Sequence, residues 1–224
     1  RWSIERTRRD HGLRVDGEKL SAASRQIREL LPQIKEETSP ERLRGLEGVG
    51  ATAYFGVFDD MLLGDKETFY FRGRNRRPPL DAVNALLSFA YSLLAHDCAC
   101  ALESVGLDSY VGFLHRDRPG RVSLALDLME ELRPCMADRF VLTQINNRVV
   151  SSSDFQYMES GAVLLTDTAR RTFVKNWQEK KKETLTHPYL GEKLPWGMIP
   201  YIQALLLARY LRGDLDAYPP FLWK

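Results

Sequence analysis

Apolar residues recur at helical intervals along most of this chain, and Pro and Gly residues mark where those intervals break. From Arg1 to about Asp16 the sequence is polar, Arg-rich and aperiodic, so ordered structure is expected to start near Gly17. Ser21 to Glu37 carries apolar positions at helical spacing. Ser39-Pro40 is a helix start, with Ser as cap and Pro at the first helical position, and it opens a helix expected to run to about Leu63. Pro78 and Pro79 close a polar loop and launch a long helix from about Leu80 to Val105, stopped by Gly106. Val122 to Leu132 reads as a helix that Arg133-Pro134 ends, with another beginning just beyond. Ala162 to Thr166 is short enough for a strand, Thr168 to Thr184 is a basic amphipathic helix, and Pro200 to Leu211 is an apolar one. The aromatic, Pro-rich tail DAYPPFLWK either packs back on the domain or docks on a partner. The fold class is therefore mainly α.

Composition adds bounds. The chain has 224 residues, 44% of them hydrophobic, enough for one large or two small domains with a real core. The apolar runs are broken by polar residues, so no membrane association is expected, and no leader is visible. Three cysteines, Cys98, Cys100 and Cys135, neither pair evenly nor show zinc spacing, which favours a reducing cytoplasm. The chain opens with Arg1 rather than Met, so a start inside a longer protein is expected.

A net charge of +2 does not identify a nucleic-acid binder, but its distribution is uneven. Arg72, Arg74, Arg76 and Arg77 sit together without an acidic neighbour, Arg116, Arg118 and Arg121 follow His115, and a third cluster comprises Arg170, Arg171, Lys175 and Lys180 to Lys182.

Glu47, His115 and Glu130 stand out against the pattern. At about 100° per residue, Leu43, Leu46, Gly50, Tyr54, Val57, Phe58 and Met61 share one arc of a helix, and Glu47 falls inside it. A carboxylate there is expected to be protonated, paired with an arginine or bound to a metal. Asp127 and Glu130, at i,i+3, face the same way as Glu131 and Ser123, which suits either a cation between them or a solvated acidic face. His115 lies in the loop that feeds this helix. If they converge in space, a carboxylate, an imidazole and a second carboxylate suit a divalent cation such as Mn²⁺. Gly48 and Gly50 do not form a phosphate loop, lacking a preceding strand and a Lys-Ser/Thr signature.

Taken in order, Gly45-Leu46-Glu47-Gly48, then RNRRPPLDAVN from Arg74 to Asn84, then Gly112-Phe113-Leu114-His115, then LDLMEELRP from Leu126 to Pro134 resemble the CRISPR spacer-acquisition integrase, a CRISPR-associated endonuclease family. The likeness is strong from about Leu43 to Asn147 and looser elsewhere. It implies a multi-helix catalytic domain over residues 17–224, with residues 1–16 a linker from an N-terminal β-rich domain absent from this chain. It implies a Mn²⁺ or Mg²⁺ ion held by Glu47, His115 and Glu130, with Asp127 in a supporting role. The implied activity is metal-dependent DNA cleavage and integration in antiviral defence, by attack of a 3′-hydroxyl on a repeat-end phosphodiester. The implied partners are double-stranded DNA (spacer precursor and CRISPR repeat array), a second copy in a homodimer and a small ferredoxin-like CRISPR-associated protein, in a prokaryotic cytoplasm. From charge and proximity, Arg116, Arg118 and Arg121 are expected to hold the scissile phosphate, while Arg72, Arg74, Arg76 and Arg77 track the duplex. Where many members have an acidic or alanine-rich turn, this chain reads Gly48-Val49-Gly50-Ala51, which loosens the helix by about 1 kcal/mol per glycine. Two alternatives are a non-integrating metal-dependent nuclease of branched or single-stranded DNA and a non-catalytic DNA-binding scaffold.

Overall fold

Local signals place most helices. The computed structural model describes residues 1–116 and 118–223. Its helices are α1 (Trp2–His11), α2 (Gly17–Glu36), α3 (Pro40–Phe55), α4 (Ala82–Ser104), α5 (Ser123–Leu132), α6 (Arg139–Asn146), α7 (Asp167–Lys182) and α8 (Ile199–Leu211). Ser39 caps α3 by accepting from the Arg42 N–H, with Pro40 at its first position, as the sequence predicts. Two antiparallel hairpins are the strands, β1 (Phe155–Tyr157) with β2 (Val163–Leu165) and β3 (Thr184–Thr186) with β4 (Lys193–Pro195). The protein is mainly helical, as expected. α4 has the length and apolar composition of a membrane span, but Leu86, Leu87, Leu94 and Leu102 are fully buried in the fold, the mark of a core helix.

Some local expectations are corrected. α3 stops at Phe55 rather than near Leu63, and a separate short turn follows at Asp59–Met61. Ordered structure begins at Trp2, because Ile4 is fully buried and Glu5 accepts from Ser24 Oγ on α2 at 2.5 Å. A single buried apolar residue per turn is too sparse to register as periodicity. α5 ends at Leu132 as expected, but the helical run does not break there: residues Arg133–Asp138 continue as a π-helical turn into α6. Pro134 has no N–H to give, and the wider turn carries the chain past it while burying Cys135 to Asp138.

The chain divides into two compact units, residues 1–88 with 141–166 and residues 89–140 with 167–224. In the first, α2 packs on α1 and α3, with Gly50 of α3 placed so that an added Cβ would lie 3.5 Å from Leu30. Tyr54, Phe55, Phe58 and Phe71 form an aromatic cluster with centroids 5.0 to 5.8 Å apart. The Asn146 amide ties two segments together, accepting from Leu63 N–H at 2.7 Å and donating to the Met61 carbonyl at 3.0 Å. Before α4, Asp81 accepts from the Asn84 N–H at 2.7 Å and from its amide at 2.7 Å, which fixes where the helix begins.

In the second unit, Trp177 and Phe173 of α7 pack edge-on against Phe140, and Trp177 Nε1 donates to Asp97 at 3.1 Å. The tail packs back on its own unit, which settles that alternative. Phe221 is buried beside His187 and Trp196, and Glu131 accepts from Phe221 N–H (2.7 Å), Tyr218 O–H (2.6 Å) and the Gln203 amide (2.9 Å). Gln203 Oε1 in turn lies 3.1 Å from Nε2 of the buried His187, whose Nδ1 accepts from Leu190 N–H. Glu131 thus leaves the acidic face expected for it and joins a buried network.

Burial raises the Glu131 carboxyl above its ordinary range and lowers the His187 imidazole. Glu131→Ala would leave the Phe221 N–H and the Tyr218 hydroxyl without an acceptor, while the Gln203 amide keeps the Tyr218 oxygen and the Pro219 carbonyl, and should cost about 2 kcal/mol or more, read as a melting temperature lower by several degrees. The neutral His187 should make the fold acid-sensitive. Below about pH 6.5 the unfolded chain takes up a proton that the folded imidazole refuses, so stability falls as pH drops. Glu131 acts in the opposite sense, its contribution fading as pH rises through its raised value. Melting curves from neutral to mildly acidic pH should show wild type losing more stability than His187→Gln.

Candidate active site

The first turn of α5 has no polar cap residue. Its Leu124 and Ala125 N–H groups are satisfied instead by the Ser109 carbonyl, at 3.0 and 3.3 Å, and the Ser109 hydroxyl is held by Glu103 at 3.1 Å. This docks the loop leading from α4 against α5. One turn further on, the Asp127 carboxylate collects the rest of the loop. Its Oδ2 accepts from the N–H groups of Phe113 (2.6 Å) and Leu114 (3.1 Å), and its Oδ1 from the His115 N–H (3.0 Å) and His115 Nδ1 (2.6 Å). Three successive backbone N–H groups converging on one carboxylate make an anion nest filled by the protein's own side chain.

This arrangement explains Gly112. A Cβ there would come within 2.7 Å of Ser123 Cβ and 2.9 Å of both Asp127 Oδ2 and the His115 carbonyl, so only glycine lets the loop close on the carboxylate. It also orients the imidazole. With Nδ1–H donated to Asp127, the lone pair of His115 is on Nε2, the tautomer and orientation that metal-ligating histidines obtain from a carboxylate behind them. The Asp127 side chain is 10% exposed and that of His115 21%, so the pair is sheltered but reachable.

Glu130, one turn after Asp127, forms an ion pair with Arg133, whose guanidinium lies 5.0 Å from the Tyr91 ring centroid. The Tyr91 hydroxyl donates to buried Asp138 at 2.5 Å, anchoring that stack to the π-helical turn. The second unit therefore joins His115 to Asp127, with Glu130 one turn further along the same helix. Glu47 belongs to the first unit, on α3.

Glu47 departs from expectation. It is exposed and has no ion-pair partner among the described residues, which removes the alternative of a buried pair with an arginine. The apolar arc of α3 is buried only from Ala53 onward, and Leu43 and Leu46 are half-covered, so a carboxylate at 47 meets solvent without penalty. Among the described residues, no three His, Cys, Asp or Glu side chains come close enough to hold a metal ion. In donor chemistry the set fits one, with a free imidazole nitrogen on His115 and carboxylates on Glu130 and Glu47.

The basic residues separate into two kinds. Arg74 is half-buried and structural: its guanidinium donates to Asn84 Oδ1 (2.5 Å), the Asn75 carbonyl (2.7 Å) and Ser88 Oγ (3.1 Å), holding the loop ahead of α4. That revises its expected place on a duplex. Arg72, Arg76, Arg77, Arg116 and Arg118 are exposed and Arg121 is half-buried. Sequence reasoning missed Gly112 and the Phe113 to His115 backbone as parts of the site, because a nest of N–H groups leaves no side-chain signature. Arg133 was legible as the i+3 neighbour of Glu130.

Asp127→Asn replaces an acceptor oxygen with a donor amide facing N–H groups. Mn²⁺ affinity, measured by calorimetric titration, should fall about 10- to 100-fold with Glu47, His115 and Glu130 intact. Gly112→Ala should have an effect of the same kind by displacing the loop.

The family model described as CRISPR associated protein Cas1 matches residues 1–179. A CRISPR-associated endonuclease Cas1 of Rhodospirillum rubrum is 61% identical over 184 residues, covering 82% of this chain and 54% of the relative. One from Chlorobaculum tepidum is 50% identical over 224 residues, covering 100% of this chain and 65% of that protein. The chain thus spans about half to two thirds of the length of these curated relatives. Among solved structures, a casposase bound to integration product aligns with a TM-score of 0.76 at 31% identity, over 84% of this chain and 52% of that one.

Proposed function

The chain belongs to the CRISPR-associated Cas1 family, and from that premise we propose that it is the catalytic part of a metal-dependent DNA endonuclease and integrase. The observation that carries the reading is the Asp127 carboxylate holding His115 by Nδ1 and leaving Nε2 for a ligand. The solved casposase relative was captured on an integration product, and the curated relatives are named endonucleases, which supports DNA strand cleavage and joining as the chemistry.

His115, Glu130 and Glu47 would hold a Mn²⁺ or Mg²⁺ ion. When bound, such an ion supplies Lewis-acid polarisation of a phosphate oxygen and neutralises charge that builds up during displacement. Asp127 keeps the imidazole in one tautomer and one direction, so the imidazole itself need not reorient when the site fills. Arg133 constrains the Glu130 side chain through their ion pair. Exposed Arg116 and Arg118 sit on the loop next to His115, where guanidinium groups can hold phosphate oxygens by paired hydrogen bonds. In the overall reaction, a DNA 3′-hydroxyl oxygen forms a new bond to phosphorus, the repeat-end P–O bond breaks, and the departing oxygen takes up the proton. With water as the nucleophile, the same site cleaves without joining.

The partners proposed are double-stranded DNA, as spacer precursor and repeat array, a second copy of the protein and a small ferredoxin-like CRISPR-associated protein. Exposed Arg72, Arg76 and Arg77 are the proposed contacts with duplex phosphates.

The test is a strand-transfer assay with the full-length protein, its small partner, Mn²⁺, a DNA fragment with free 3′-hydroxyl ends and a supercoiled repeat plasmid. Wild type should give joined product, and Glu130→Ala should reduce it below detection. Cleavage without joining would favour a non-integrating nuclease. Equal activity of the two proteins would remove Glu130 from the centre. DNA binding with no catalysis by wild type would favour a scaffold.

A further inference from the structure

The third basic cluster of the sequence lies outside the site described above. In the second unit, α7 and the Phe89 position of α4 line an open cleft of about 710 Å³, formed by Phe89, Asp167, Arg170, Arg171, Val174 and Lys175. Helical spacing puts Arg171 and Lys175 on one face, one turn apart. Arg170 is ion-paired with Asp167, but exposed Arg171 and Lys175 have no acidic partner among the described residues.

This arrangement works against the helix. Like charges at i,i+4 repel, and Arg171 follows directly on the first turn of α7, close to the end at which the macrodipole disfavours cations. An anion in the cleft would offset both effects. The apolar wall adds a second requirement. Phe89 packs against Phe173 with centroids 5.4 Å apart, is only half-buried and lines the cleft beside Val174. Cations one turn apart beside an aromatic ring match the phosphate-and-base pattern of a nucleic-acid strand. The bases of a closed duplex are stacked away from such a wall.

We infer that this cleft binds a single-stranded segment of nucleic acid, with its phosphates on Arg171 and Lys175 and a base against Phe89. The inference rests on the DNA-handling reading above and adds a surface which that reading does not use. Asp167 moderates the site by neutralising Arg170. The cleft is open rather than enclosed, which suits a continuing strand better than a free nucleotide.

The test is fluorescence anisotropy of the intact protein with a labelled single-stranded oligonucleotide across a salt series in EDTA, with thermal melting to verify that each variant folds. Arg171→Ala with Lys175→Ala should reduce the slope of log affinity against log salt by about 1.4, at about 0.7 for each phosphate that the variant no longer neutralises. Phe89→Leu should weaken binding about tenfold with the slope unchanged. Asp167→Asn should tighten binding by freeing Arg170. An unchanged slope in the double variant, with wild type still binding and joining DNA, overturns this inference and leaves the proposed function standing. Displacement of the strand by nucleoside triphosphate at equal concentration, with no effect of Phe89→Leu, overturns the strand reading in favour of a free-nucleotide site. Absence of any DNA binding by wild type overturns both this inference and the proposed function.

Discussion

The Asp127 carboxylate is the interaction on which the candidate site of the second unit depends. It takes four hydrogen bonds from a loop that begins 14 residues earlier, three from backbone and one from the imidazole of His115. A carboxylate supplied with so many donors tolerates partial burial, and the donors it satisfies would otherwise be unpaired in a loop with no secondary structure. Loop shape, histidine tautomer and glycine requirement at 112 are therefore one constraint expressed three ways. None can change without the others.

The same helix distributes three carboxylates to three tasks within five residues. Asp127 closes the loop, Glu130 pairs with Arg133, and Glu131 turns inward to hold the tail through Tyr218 and the Phe221 N–H. A helix turning about 100° per residue separates adjacent Glu130 and Glu131 onto different faces. The π-helical turn that follows adds a residue to the spiral, carrying Asp138 inward to the Tyr91 hydroxyl and Phe140 to the aromatic core around Trp177. Site and core are thus coupled through one continuous stretch of chain.

Charge alone does not say what an arginine does here. Arg74 and Arg133 carry the same formal charge as Arg76 and Arg77, yet the first pair is committed to neighbouring side chains and the second pair is exposed. Asn75, Asp81 and Asn84 build the frame that draws Arg74 inward, with Asn75 accepting from Leu80 N–H and Asn84 donating to the Gly73 carbonyl. An arginine that meets such a frame becomes part of the loop's scaffolding, because its planar donors satisfy several acceptors at once.

The sequence by itself determined what short-range physics controls. Ser39-Pro40 starts α3, Gly106 at positive φ follows α4, and the apolar repeats place α4, α5, α7 and α8 to within a few residues. It also supplied the residue types of the candidate site and their order along the chain. The tertiary structure decided what depends on closing long loops. That Glu47 is exposed, that α1 is held through Ile4, that Gly112 is sterically required and that Glu131 anchors a tail some 90 residues away follow from contacts between distant segments. Capping and i,i+3 pairing are encoded within one turn and can be read locally. A hydrogen bond between remote segments exists only once packing has brought donor and acceptor together.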